Sequence, residues 1–168
     1  MVNIKITSEI MLKGDYWTTA INSLSNIFKT RTNYSIYLLS TVIGILYDRQ
    51  IEELTYSDEL GSIPSVPRNV FNTNSEIFDY LFQAAILTTK NVLLDENERL
   101  DLAFNEKRTD FNRVQLLTKF ANYGVTKLIE LIGSDNLETM ENIKNFLTGT
   151  MEGTNWDIDE LVIEDIDI

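Results

Sequence analysis

Cysteine and histidine are both absent from this chain, and the two absences remove most of the ordinary catalytic repertoire. Without histidine there is no imidazole base, no Ser-His-Asp triad and no histidine-ligated metal. Without cysteine there is no thiol nucleophile, no disulfide framework and no zinc site of the usual nitrogen and sulfur kind, which fits a cytoplasmic protein. No Walker A sequence and no GxGxxG occurs, so neither kind of phosphate cradle is signalled. Long apolar runs are missing too. The longest, Ile36 to Leu46, is interrupted by Ser40, Thr41 and Gly44 and falls short of a membrane span. The opening MVNIKITSEIML has no basic segment leading into an apolar core, so no secretory signal is expected. No cofactor and no metal are expected, and any catalysis would have to rest on carboxylates, lysines, tyrosines or hydroxyls.

Charge of one sign is also scarce. The 168 residues carry 26 acids against 14 bases, for a net charge of −12. Residues 152 to 168 hold seven acids and no base, so the end of the chain carries more than half of that excess. Such a chain is repelled by the phosphates of free nucleic acid, and direct DNA binding is not expected. The densest basic cluster, Lys107, Arg108, Arg113, Lys119 and Lys127, is interleaved with acids and reads as a solvated helix face.

What is present is helical periodicity, which predicts an all-α fold: one compact bundle of about six helices over residues 1–149, then an acidic tail over 150–168. The strongest stretch is residues 109–133. There Val114, Leu117, Ala121, Val125, Leu128 and Ile132 recur at three- and four-residue steps, the spacing of one buried face. Asp110 is placed to cap its start and Gly133 its end. Asn122 and Gly124 are poor helix formers inside it. One reading makes Gly124 the point where a neighbouring helix approaches closely; the other makes Ala121 to Gly124 a partner contact.

A helix is expected from Asp15 to Thr30, and another, apolar nearly all round, from a cap at Asn33 towards Leu54. Thr55 to Val70 contains both prolines and reads as a loop. Asn74 or Ser75 caps a third helix, Asp95 with Glu98 makes a capping-box start for a fourth, and Ser134 or Asp135 opens a last one closed by Gly149. Short strands are expected at residues 2–6, which alternate apolar and polar, and in the tail.

Candidate sites are few. Asp95, Asn97 and Glu106 fall at calcium-loop positions 1, 3 and 12, but Arg99 and Leu100 occupy places that need an oxygen ligand and a glycine, so a helix start explains the segment better. Glu52 with Glu53 and Asp58 with Glu59 read as solvated ends of elements. Trp17, Tyr123 and Trp156 are possible interface anchors, with Trp17 more naturally a core residue. The tail alternates acids with aliphatics, a pattern that suits strand addition to a partner's sheet. The partner-binding candidates are therefore Asn122, Tyr123 and Gly124 on the long helix, and Trp156, Asp157, Asp159, Glu160, Leu161, Ile163, Glu164 and Asp165 in the tail.

Three segments together resemble a family of small proteins encoded beside bacterial DNA phosphorothioation (Dnd) genes and related defence clusters. FKTRTNYSIYLLSTVIGILYDRQIEEL, residues 28–54, is similar to that family's opening pattern of an apolar helix, a glycine and a polar turn. VFNTNSEIFDYLFQAAIL, residues 70–87, resembles its next helix. KFANYGVTKLIELI, residues 119–132, resembles a Tyr-Ala-Asn-Gly-Gly-Ile-like signature through Ala121, Asn122 and Gly124, with Phe120, Tyr123 and Val125 departing from it. The N-terminal segment and the acidic tail lie outside the resemblance, and no catalytic residue is carried over by it. It implies a non-enzymatic accessory protein, an adaptor that meets a DNA-modifying or DNA-cleaving complex. The alternative is an inhibitor encoded by a phage or mobile element that mimics DNA and blocks a basic groove. A third class is an enzyme working with carboxylates alone. No membrane association is expected.

Overall fold

The structure is a computed structural model that describes residues 8–57, 61–105 and 111–151. It is 64% helical, an all-α fold with one short ribbon of two strands. The chain divides into two compact units, Met1–Glu130 and Leu131–Ile168. In the first unit, β1 (Ile10–Met11) is followed by α1 (Asp15–Leu24), α2 (Thr32–Leu46), β2 (Ser65–Val66), α3 (Arg68–Thr73), α4 (Ser75–Thr88), α5 (Glu96–Phe104) and α6 (Arg113–Glu130); α7 (Asn136–Met151) belongs to the second.

The core of the first unit is built where α2 and α6 cross. Both helices are tiled with apolar residues, and at the crossing each presents a glycine. A Cβ on Gly124 would lie 1.7 Å from the Ser40 carbonyl oxygen, and one on Gly44 would lie 2.0 Å from that of Phe120. Gly124 meets Ser40 while Gly44 meets Phe120, so the helices run antiparallel with their backbones in contact. The close-approach reading of Gly124 is the one this packing supports. Around the crossing Trp17, Tyr37, Phe71 and Phe78 form a fully buried aromatic chain, with Tyr37 and Phe71 edge to face at 5.5 Å. Burial pushes the Tyr37 phenol above its ordinary value, while its hydrogen bond with Thr118 at 3.2 Å opposes that rise.

Several boundaries differ from the sequence reading, each for a local reason. Helix α1 stops at Leu24 rather than Thr30, because the Ser25 hydroxyl and the Ile27 and Phe28 amides turn back onto the carbonyls of Asn22 and Leu24. Helix α2 stops at Leu46, not near Leu54. Asp48 adopts a left-handed conformation (φ 46°), and the amides of Arg49 and Asp48 close onto Gly44 and Ile45 in a Schellman arrangement without glycine. Asn33 does not cap α2. Its amide reaches the Ser65 carbonyl at 2.8 Å instead, anchoring β2 to the helix. Inside the expected loop, Pro67 sets up the start of α3, which carries Phe71 into the core. Asn74 bonds back to Val70 rather than capping α4.

Two starts agree with the sequence. Asp95 caps α5 by accepting from the Glu98 amide at 2.9 Å. Asp135 accepts from the Glu138 amide at 2.9 Å, and the Glu138 carboxylate accepts the amide and hydroxyl of Ser134, both at 2.6 Å. Helix α7 runs through Gly149 to Met151. The expected strand at residues 2–6, the Asp110 cap and the tail from residue 152 lie outside the described residues, and Asn112 caps α6 by accepting from the Gln115 amide at 3.0 Å.

Candidate functional site

Asn122 is the polar centre of one buried junction in the first unit. This side chain is buried, accepting from the Trp17 indole at 3.0 Å and donating to the Ile51 and Glu52 carbonyls, each at 3.2 Å. It therefore joins α1, α6 and the extended segment after α2, whose Ile51 amide also bonds to the Lys119 carbonyl at 3.0 Å. Asn122 was a candidate partner contact on sequence grounds; its polar groups are instead committed to the fold, as is buried Gly124. Tyr123, between them, is half-buried against Tyr47 at 5.8 Å. Trp17 is fully buried and so is no interface anchor. Trp156, Asp157, Asp159, Glu160, Leu161, Ile163, Glu164 and Asp165 lie outside the described residues.

The basic cluster also needs correction. Arg113 is buried, not solvated: it donates to the Leu102 carbonyl at 3.1 Å and its guanidinium lies over the Phe82 ring at 4.6 Å. Burial lowers its affinity for a proton, and the nearby Asp79 charge opposes that. Lys119 pairs with Glu52 at 2.5 Å and Lys127 with Glu130 at 3.5 Å. Lys107 and Arg108 lie outside the described residues.

Beside Asn122 opens a groove of about 410 Å³. Met11 and Lys13 line one side, Glu52, Glu53, Leu54 and Tyr56 another, and Thr118 and Asn122 contribute from α6. Residues 11–15 and 52–57 border the groove and converge at one end of it. At the convergent end the Asp15 amide bonds to the Thr55 carbonyl at 2.9 Å, and the Asp15 carboxylate accepts the Ser57 amide and hydroxyl at 2.8 and 2.7 Å. Gly14 sits there with φ 139° and no room for a side chain against Leu54.

The ribbon fixes what the Met11–Lys13 side offers. Ile10 pairs with Val66 and Met11 with Ser65, antiparallel, and the Leu12 amide donates to the Pro64 carbonyl at 2.8 Å. Hydrogen-bonded and non-hydrogen-bonded pairs alternate in such a ribbon. Ile10 and Leu12 thus aim their backbone groups at β2, while Met11 and Lys13 aim theirs away from it. Among the described residues no hydrogen bond engages the backbone of Met11 or Lys13 on that outer edge. Side chains alternate as well: Ile10 and Leu12 are buried, whereas Met11 is 46% exposed and Lys13 is exposed.

A second surface feature is on α4. Phe78, Phe82, Ala85 and Ile86 face the core, yet Ile77, Tyr80 and Leu87 are 46%, 57% and 39% exposed, with Ala84 exposed between them. At 100° per residue these four fall within an arc of about 80° opposite the buried face. Leu93, Leu100 and Phe104 add exposed apolar side chains just downstream.

Among the described residues no group of acidic side chains is placed to hold a metal ion, and no helix is long and apolar enough to cross a membrane. Asp95, the first position of the calcium-like pattern, is a helix cap. The signal for the groove was weak in the sequence, since two-residue strands leave no periodicity to read. Compared with known proteins, the chain matches no protein-family model, no curated protein and no solved structure.

Proposed function

We propose that this protein is a cytoplasmic, non-enzymatic adaptor that acts by binding another protein, and that its partner belongs to a bacterial DNA-modification or anti-phage complex. The observation that carries the protein-binding part is the second apolar face of α4. A surface helix needs one apolar stripe for its core, and here Ile77, Tyr80 and Leu87 form a stripe on the solvent side as well. A net charge of −12 selects a partner whose apolar patch is rimmed by lysine and arginine. The tail, with Trp156 and its alternating acids and aliphatics, is the second proposed contact. The assignment to DNA modification rests on the resemblance of residues 28–148 to the phosphorothioation-associated family.

The test is affinity capture from the native host with three full-length baits: the wild type, Tyr80→Glu with Leu87→Glu, and a chain with the tail acids changed to their amides. Both substituted positions on α4 are exposed, so the fold should persist. A DNA-modifying or DNA-cleaving complex captured by the wild type and lost with the α4 variant supports the reading. Capture of the same complex by all three baits would place the interface elsewhere and refute it. Release of the captured complex by duplex DNA would instead assign the groove-blocking role.

A further inference from the structure

We propose that the outer edge of β1, at Met11 and Lys13, receives an extended segment of a partner protein as a third strand, with an acidic side chain opposite Lys13 and an aliphatic one opposite Met11. The inference rests on the reading of this chain as a protein-binding one but uses a different surface from α4. Two residues on this edge present two N–H and two C=O groups with no partner among the described residues, spaced by the strand repeat. A bare edge of this kind is a template for strand addition. What separates it from an ordinary frayed edge is the groove beside it, which gives an incoming backbone somewhere to lie.

The charges select the occupant. The Lys13 ammonium lies over the Tyr56 ring at 5.7 Å and has no carboxylate within ion-pair distance among the described residues. Glu52 is neutralised, with Lys119 on one oxygen at 2.5 Å and Gln115 on the other at 3.4 Å. A residue of the added strand directly across from Lys13 shares its outward face, where opposite charges attract and like charges repel. Glu53, which also has no ion pair among the described residues, carries its negative charge into the same groove and rejects a run of acids. The occupant is thus a mixed segment with one acid two residues from an aliphatic, not a polyacidic one. A second copy of this chain is disfavoured: edge-to-edge pairing would bring two Lys13 side chains and two net charges of −12 together.

The test selects random twelve-residue peptides by display against the full chain, then measures the enriched peptides by fluorescence polarisation. The expected result is a family with the aliphatic-x-acid spacing. Lys13→Glu should weaken these peptides about tenfold and favour versions with lysine in place of the acid. Lys13 is exposed and its ammonium's one partner among the described residues is the Tyr56 ring, so the variant should keep the wild-type circular dichroism spectrum. N-methylation of the peptide gives an arm that needs no variant. It should abolish binding at alternate positions only, because only every second amide faces β1. In the amide NMR spectrum, Met11 and Lys13 should move and Leu12 should stay. Failure to enrich any family, equal binding to Lys13→Glu, or tolerance of N-methylation at every position would overturn the proposal. None of these outcomes bears on capture through α4, so the two readings fail separately.

Discussion

Replacing Gly124 with alanine should cost about 3 kcal/mol, although alanine is the better helix former. Propensity alone predicts a gain of about 1 kcal/mol for a glycine-to-alanine change inside a helix. Against it stands a new Cβ placed 1.7 Å from the Ser40 oxygen, 2.6 Å from its carbonyl carbon and 2.9 Å from the Gly44 nitrogen. All three obstacles are backbone atoms of α2, so no rotamer change can relieve them. The helices must separate by at least about 1.3 Å to bring the contact to 3.0 Å. A gap of 0.5–1 Å already forfeits roughly a quarter to a half of each dispersion contact across it. Tyr37, Ile43, Leu117, Phe120 and Val125 are all fully buried in these two helices. A gross cost of about 4 kcal/mol, at the severe end of overpacking, leaves a net loss of about 3. In a urea titration followed at 222 nm this would lower the midpoint by roughly 1.5 M, taking a slope of about 2 kcal/mol per molar. Ala84→Gly, on the exposed face of α4, is the control and should cost only about 1 kcal/mol. If Gly124→Ala were as stable as the wild type, or more so, the backbone contact between α2 and α6 would be wrong.

Other consequences can be measured on the same protein. Asn122→Ala strands the buried Trp17 indole donor and the Ile51 and Glu52 carbonyls; a loss of about 2–4 kcal/mol in urea unfolding is expected, and a loss below 1 would show that water replaces the side chain. Asp95→Ala removes the cap on α5 and should cost about 1 kcal/mol, read as a lower thermal midpoint, while Asp95→Asn should retain most of it. For α7, the hydrogen bonds from Ser134 hold the Glu138 carboxyl below its ordinary value of 4.5. A carboxyl depressed by folding stabilises most fully above its unfolded value and loses that contribution as pH falls through the lower, folded one. A carboxyl-carbon NMR titration of Glu138 should thus give a midpoint below 4.5, moving up in Ser134→Ala; a wild-type midpoint at or above 4.5 would contradict the cap.

The sequence revealed those parts of the fold in which one residue type has one physical job. The period of α6 and the caps at Asp95 and Asp135 were legible because each depends on near neighbours, and the close approach at Gly124 because a glycine inside a strong helix is itself a signal. The end of α2 was not. It depends on Asp48 taking a left-handed conformation in which glycine or asparagine is usual. The ribbon was invisible for a different reason: two-residue strands carry no alternation, and their pairing joins residues about 55 apart. Asn122 was noticed as an anomaly and read as a partner contact, whereas the structure gives its side chain partners inside the fold. A polar residue flanked by Ala121 and Val125 on a buried face needs internal partners, but those partners come from α1 and the segment after α2, which no local pattern brings near. Arg113 misled similarly, since a cation over a phenylalanine ring and a solvated cation look alike in a string of letters.

The glycine contact also sets an order of events during synthesis. Gly44 leaves the ribosome about 80 residues before Gly124, roughly 4 to 16 seconds earlier at common elongation rates. For that interval α2, apolar on nearly every side, has no α6 to lie against, and its glycine face is open to any backbone that fits. The nascent chain therefore passes through a window in which its most apolar helix is a target for chaperones and a hazard for misassembly, and the window closes only when the last turns of α6 emerge.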